Sequence, residues 1–318
     1  MVILAKHNWG WLLTRRAYSL LACSTAILVS AAAPTISAEN AAIPDFSGRW
    51  ARNAFDHEHM PSGPTPLTNK LRSDGDTAHP LLGGDPIPLI GDYDNPILKP
   101  EAAAIVMKIG EVSKAGLIYP DPSNQCAPYQ PPYAFSIQIG VEMLMKKDEI
   151  VMLFPQDDQV RHIRMNSKHP DKVTPTPMGD AIGWYEGDTL VVDTVGVKVL
   201  PVSMIDRYGT PFSEGMHLVE RYRLIDAGEA KAAMDRHELR AGRVGGPPGA
   251  VPLDPNHPKA LQVEFTVEDP KYFTTPWTGR VTYRRSMLPW SEQICAENIV
   301  EYWPGMNTAV PQDNAPDF

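Results

Sequence analysis

The side chains of this 318-residue chain that could do chemistry gather in three short segments. The run Gly183-Trp184-Tyr185-Glu186-Gly187-Asp188-Thr189-Leu190-Val191-Val192-Asp193-Thr194 sets Asp193 among apolar neighbours. A carboxylate in that setting must be paired, or its pKa rises toward that of a general base. Two readings of Asp193 are open: a structural carboxylate held by backbone amides or an arginine, and a ligand-facing or catalytic acid. The second segment, residues 216–224, carries His217 and Glu220. The third, residues 159–165, carries Arg161 and Arg164. Either arginine could neutralise Asp193 or Glu220 inside the protein, or hold a substrate carboxylate or phenolate.

Strand periodicity decides which of these groups can meet. Gly187-Asp188 between two apolar runs signals a two-residue hairpin turn. Counting outward, Glu186 opposes Thr189, Tyr185 opposes Leu190, Trp184 opposes Val191, and Ile182 opposes Asp193. Opposed residues share a face, so Ile182, Trp184, Val191 and Asp193 lie on one side and Tyr185, Leu190 and Val192 on the other. Both faces are apolar, which predicts a central hairpin. In residues 216–224, Glu220 shares a face with Met216, Leu218, Tyr222 and Leu224, while His217 shares one with Val219, Arg221 and Arg223. His217 and Glu220 therefore cannot form a dyad within a regular strand. Two readings of His217, near the strand start, are open: a half-exposed histidine on the rim, and a partner of the loop acids Asp206 or Glu214. The candidate acid–base set is Asp193, Glu220, His217 and Arg164. Trp184, Arg161, Tyr222, Asp206 and Glu214 are the candidate ligand contacts.

The elements that must position them are short strands. The chain has 32 prolines, about twice the usual share, and proline in a helix interior costs about 3 kcal/mol. Coiled coils, helical repeats and a (β/α)8 barrel are poor fits. Short alternating runs predict strands at 135–146, 149–154, 159–165, 182–194 (as a hairpin), 216–225, 261–267 and 280–285. One helix is predicted over 99–114, with Pro100 and Glu101 in its first turn. Strands in sequence without amphipathic helices between them imply a mainly β fold, an antiparallel barrel or sandwich. A proline-rich arm over 39–132 would wrap a core over 133–318, interrupted by a loop insertion at 241–258.

Lys6, Arg15 and Arg16, the apolar run 17–33 and the small residue Ala38 read as a cleaved export signal over 1–38. Thr14-Arg15-Arg16-Ala17-Tyr18 loosely resembles a twin-arginine signal, and Leu20-Leu21-Ala22-Cys23 a lipoprotein box. Removing 1–38 takes away three basic residues and no acid, moving the net charge from −9 to −12. A chain this acidic is a poor partner for nucleic acid or anionic membrane, and no stable membrane insertion is expected after cleavage. Cys126 and Cys295 then remain, as one disulfide or as two buried thiols. His57-Glu58-His59 has a His-x-His alternation but no evident third ligand, so no metal is expected. No phosphate loop, dinucleotide glycine motif, HExxH pair or CxxCH occurs, so no cofactor is expected.

Asp45-Phe46-Ser47-Gly48-Arg49-Trp50 resembles the Gly-x-Trp start of lipocalin-type barrels, in which the Trp closes one barrel end. A broader resemblance is to an uncharacterised family of exported bacterial proteins. It is carried by that opening, by Met178-Gly179-Asp180, by 183–194 and by 214–223. Glu268-Asp269-Pro270, Pro276-Trp277-Thr278 and Cys295-Ala296-Glu297-Asn298 also match. This resemblance implies export and a β-rich fold, and no activity. Where the family has Pro-His-Ser-Glu, this chain has Pro211-Phe212-Ser213-Glu214, so a role for that histidine is absent. The leading expectation is an exported barrel holding a small apolar or aromatic molecule. The alternatives are a cofactor-independent lyase, isomerase or hydrolase on a phenolic or terpenoid-like substrate, and a structural envelope protein.

Overall fold

Among the described residues, ten strands form one continuous sheet, and nine of them close on themselves as a β-barrel. The computed structural model describes residues 43–71, 88–117, 119–241, 251–290 and Cys295. The predicted signal over 1–38, residues 242–250 of the predicted insertion and most of the chain beyond 290 lie outside the described residues. In chain order the strands are β1 (Gly48–Ala51), β2 (Glu58–His59), β3 (Val141–Met145), β4 (Glu149–Phe154), β5 (Gln159–Met165), β6 (Asp180–Glu186), β7 (Thr189–Val195), β8 (His217–Asp226), β9 (Lys259–Glu268) and β10 (Trp277–Arg285). The order around the barrel is β1-β3-β4-β5-β6-β7-β8-β9-β10, with β10 pairing back to β1. β2 follows β1 along the same edge of β10.

The barrel is mixed, because β5 and β6 run parallel while the other pairs are antiparallel. Parallel neighbours need a crossover of a dozen or more residues, and residues 166–179 supply it. Pro170, Pro175 and Pro177 keep that crossover irregular rather than helical. The β6–β7 register matches the counted one at every pair, with Gly187 at φ 64° in the turn.

The predicted strand over 135–146 starts late. Tyr133–Ser136 is a 3₁₀ turn, and β3 begins only after Gly140. Gly140 has φ 73°, and a Cβ there would sit 1.8 Å from the Trp50 carbonyl oxygen, so only glycine lets the chain cross β1 so closely. Helix α1 (Pro100–Lys114) forms as expected. A second helix, α2 (Ala227–Ala241), was not foreseen. It buries Ala230, Ala233 and His237, a spacing of three and four, and packs against β8, β9 and β10.

Inward side chains fill the barrel: Ile150, Ile163, Leu190, Val192, Leu218, Phe265 and Val281 are almost fully buried. At one end Trp50 is buried, donates Nε1–H to the Phe46 carbonyl at 2.8 Å, and lies under the Arg285 guanidinium at 5.2 Å. Cys126 and Cys295 form a disulfide, 169 residues apart. Among the described residues no helix is long and apolar enough to cross a membrane.

Candidate functional site

Six of the nine sequence candidates fall into two clusters on opposite faces of one wall. Alternation along β5, β7 and β8 turns Arg161, Thr194, Glu220 and Tyr222 inward, where each is buried. Arg161 grips Glu220 with two bonds, Nη1 to Oε2 at 2.8 Å and Nη2 to Oε1 at 2.6 Å. The Thr194 hydroxyl lies 2.7 Å from Arg161 Nη2 and donates to Glu220 Oε1 at 3.2 Å. Tyr222 OH donates to Glu220 Oε2 at 2.5 Å. Burial opposes the Arg161 charge, but Glu220 outweighs it and holds the guanidinium above its ordinary pKa. Burial, then the Glu220 charge, push the Tyr222 phenol far up, so it stays a proton donor. Glu220 thus carries four bonds and no exposed surface, and serves as the counter-ion of a buried arginine. Of the two uses open to Arg161, the internal ion pair is the one that forms.

Asp193 is not inside the barrel. The face it shares with Ile182, Trp184 and Val191 is the outer one, because Leu190, Val192 and Thr194 take the interior. Nor does His217 pair with Asp206 or Glu214. Asp193 opposes Val219 on β8, which puts His217 diagonally next to it on the same face, and His217 Nε2 lies 2.5 Å from Asp193 Oδ1. Asp206 is buried and taken up by the backbone amides of Tyr208 (2.8 Å) and Thr210 (3.2 Å). Burial outweighs those bonds and pushes its carboxyl up to about 6. Glu214 is exposed in the turn before β8. Trp184 is half-buried on the outer wall and donates Nε1–H to Glu186 at 3.1 Å.

Two residues that sequence reasoning left without a role complete the outer cluster. Arg164 on β5 donates from Nη2 to both oxygens of Asp180 at the start of β6, at 2.7 and 2.9 Å. Asp180 Oδ1 also takes His169 Nδ1 at 2.5 Å. An ionised carboxylate only accepts, so His169 Nδ1 carries the proton of this bond, and Nε2 is the ring's other nitrogen. That Nε2 has no hydrogen-bond partner and points at Asp193 Oδ1 from 3.9 Å. The series Asp180–His169–Asp193–His217 therefore alternates carboxylate and imidazole. His217 is the most open of the four, with 39% of its side chain exposed. Its Nε2–H faces Asp193, which leaves Nδ1 as the nitrogen able to take a proton from a substrate.

His169 lies in the proline-rich crossover, where no spacing marks it as a partner of β6 or β7. Phe212, in the segment before β8, is buried. Among the described residues no group of three or more histidines, cysteines and acids is arranged to hold a metal ion. An open cleft of about 520 Å³ lies elsewhere, between the arm and the β9–β10 loop, with Lys70, Asp92, Asp94 and Ile97 on its walls. No family model, curated protein or solved structure matches this chain.

Proposed function

We propose that this chain is an exported barrel protein that performs cofactor-independent acid–base chemistry on a small molecule at the outer wall. The observation that carries the reading is the half-exposed Asp193–His217 pair backed by the Asp180–His169 pair. His217 Nδ1 acts as the base, Asp193 holds the ring by Nε2, and Arg164 reaches the site through Asp180. The proton taken by His217 is stabilised by Asp193 next to it, an arrangement that gives general-base catalysis typically 10²–10⁴-fold. The reaction class is elimination, isomerisation or hydrolysis on a phenolic or terpenoid-like substrate. The disulfide accords with an oxidising compartment.

The test is a panel of phenolic, terpenoid and ester compounds incubated with the wild type, His217→Gln and Asp193→Asn, with products read by mass spectrometry. Loss or gain of water marks a lyase or hydrolase, and a retention shift at constant mass an isomerase. Product formation should fall about 100-fold or more in folded His217→Gln. Full turnover in both variants would remove the assignment. N-terminal sequencing of protein recovered from the cell envelope should begin at Glu39.

A second reading, binding of a small molecule without chemistry, is favoured by the cleft of about 520 Å³, a volume within the usual range of ligand sites. A melting-temperature shift with an unaltered ligand, abolished by Asp92→Ala and unaffected by His217→Gln, would support it over catalysis.

A further inference from the structure

Main-chain bonds build the cleft between the arm and the β9–β10 loop. Asn69 and Gly91 form an antiparallel bridge. Beside it Lys70 N–H donates to the Ile90 carbonyl at 2.7 Å, and Asp92 N–H to the Thr68 carbonyl at 3.0 Å. Thr274 N–H donates to the Ile97 carbonyl at 2.8 Å and Thr278 N–H to the Pro64 carbonyl at 3.3 Å, which joins the arm to the loop and to the start of β10. Lys70, Asp92 and Asp94 are thereby gathered around one space of about 520 Å³, with Pro64, Ile97 and Thr275 among its other walls.

The charges on these walls are unequal, with one cation against two carboxylates. The cation is already engaged: Lys70 Nζ forms a salt bridge with Asp94 and lies over the Tyr93 ring, 4.1 Å from its centroid. Asp92 meets neutral donors instead. Its Oδ1 accepts the Thr68 amide at 2.8 Å, and its Oδ2 the Asn95 side-chain amide at 3.0 Å. An ionised carboxylate offers about four acceptor sites, more than these two donors fill. Burial outweighs both bonds and the Lys70 charge, and raises the Asp92 carboxyl above its ordinary range. A cation entering the cleft would relieve that cost by keeping the carboxylate ionised.

We propose that the cleft binds a small organic ammonium compound, its N–H groups on Asp92 and its apolar body against Pro64 and Ile97. Lys70 displays the recognition within the chain itself, since an ammonium on a carboxylate and an aromatic face is what this turn already holds. An anionic ligand would meet Asp92 and Asp94, and could reach Lys70 only by parting it from Asp94. A neutral ligand leaves the Asp92 charge unmatched. A bare metal ion lacks ligands, because among the described residues no three histidines, cysteines or acids converge. The assignment rests on the cleft serving as a ligand site, the second reading above, and stands apart from the outer-wall chemistry.

The test is calorimetric titration of the full chain at neutral pH with benzylamine, benzyl alcohol and benzoate, which share a ring and differ in charge. Benzylamine should bind roughly tenfold or more tightly than benzyl alcohol, and benzoate should not bind. The NMR signals of the Thr68 backbone amide and the Asn95 side-chain amide, both on Asp92, should move with benzylamine. Asp92→Asn should weaken benzylamine roughly tenfold or more. Lys70→Met frees Asp94 and the Tyr93 face, and should tighten it about fivefold. Three wild-type results overturn the proposal, so it does not depend on a variant folding. Equal affinity for amine and alcohol removes the ammonium assignment and leaves the cleft a ligand site. Benzylamine that binds without moving the Thr68 and Asn95 signals sits elsewhere. No binding by any of the three removes the assignment and the cleft's role together.

Discussion

Replacing Glu220 with Gln keeps the side chain's shape and removes its charge, leaving Arg161 as an uncompensated cation with 1% exposure. Glu220 accepts two bonds from Arg161 and one each from Thr194 and Tyr222. The amide's NH2 must then face at least one donor, so the loss exceeds that of a single bond. Breaking a buried pair by removing one partner costs about 3–5 kcal/mol. That is a large part of the 5–15 kcal/mol that ordinarily holds a domain together. The assay is urea unfolding followed by tryptophan fluorescence, with the midpoint compared at unchanged slope. The double variant Arg161→Met/Glu220→Leu removes both charges, so no unpaired ion is left in the core. What it leaves is the lost partner of the Tyr222 and Thr194 hydroxyls, about 1–3 kcal/mol for each group left unsatisfied. A Glu220→Gln midpoint within about 1 kcal/mol of wild type would refute the structural role. So would a stable Glu220→Gln protein that loses turnover, since that returns Glu220 to the chemistry.

Acidification sets two buried groups against each other. Burial, then Arg52, holds His57 down to about 3, so the unfolded chain takes a proton first as pH falls below about 6.5. The stability this contributes is whole above pH 6.5 and declines by about 1.4 kcal/mol per pH unit toward 3. Asp206, raised to about 6, has the opposite sign: its contribution is whole below about 4 and is lost as pH rises through 6. His237 is also depressed and tips the balance, so urea midpoints should fall between pH 6.5 and 4 and fall more steeply in Asp206→Asn. A rise over that interval in the wild type would contradict the buried neutral histidines. Cys126→Ser/Cys295→Ser opens a loop of 169 residues, and the chain-entropy model gives about 5 kcal/mol of lost stability, measurable as a lower melting temperature. An unchanged midpoint would show that the unfolded chain is already constrained. Gly140→Ala drives a Cβ into the Trp50 carbonyl at a φ of 73°, and should cost more than the 1–3 kcal/mol of left-handed strain alone. A loss below 1 kcal/mol by urea unfolding would mean that β1 and β3 can part at little cost.

What the sequence could reveal tracks how local each interaction is. β4 and β5 occupy the predicted residues, and the β6–β7 register follows to the pair, because a two-residue turn ties partners together by counting alone. The helix over 227–241 went unread because its face toward the wall is built from Ala230, Ala233 and His237, which give little apolar periodicity. The site was harder still. That Arg161 or Arg164 neutralises an acid was legible, but not which, since the choice depends on β5 running parallel to β6. For His217 the candidate acids were those near in sequence, whereas the β7–β8 register selected Asp193. His169 reaches Asp180 through a crossover whose path no residue pattern states.

The two clusters owe their separation to the alternation of single strands. β7 turns Thr194 inward to the Arg161–Glu220 network and the adjoining Asp193 outward to His217 and His169. β8 does the same with Glu220 and His217, which lie in the same strand on opposite faces. A one-residue slip would exchange them, placing Asp193 and His217 in the core and Glu220 in solvent. The buried ion pair penalises that slip, because Arg161 would face the core without its counter-ion. On this argument the inner network keeps the outer one in register, and it does so without touching any substrate. Asp193→Asn breaks a pair that is about a quarter to two-fifths exposed, so it should cost about 0–1 kcal/mol of stability while abolishing the proposed chemistry. Glu220→Gln should do the reverse, losing several kcal/mol while the molecules that remain folded turn over at the wild-type rate. A Glu220→Gln protein whose surviving folded fraction is inactive would show that the inner pair reaches the outer site by more than register.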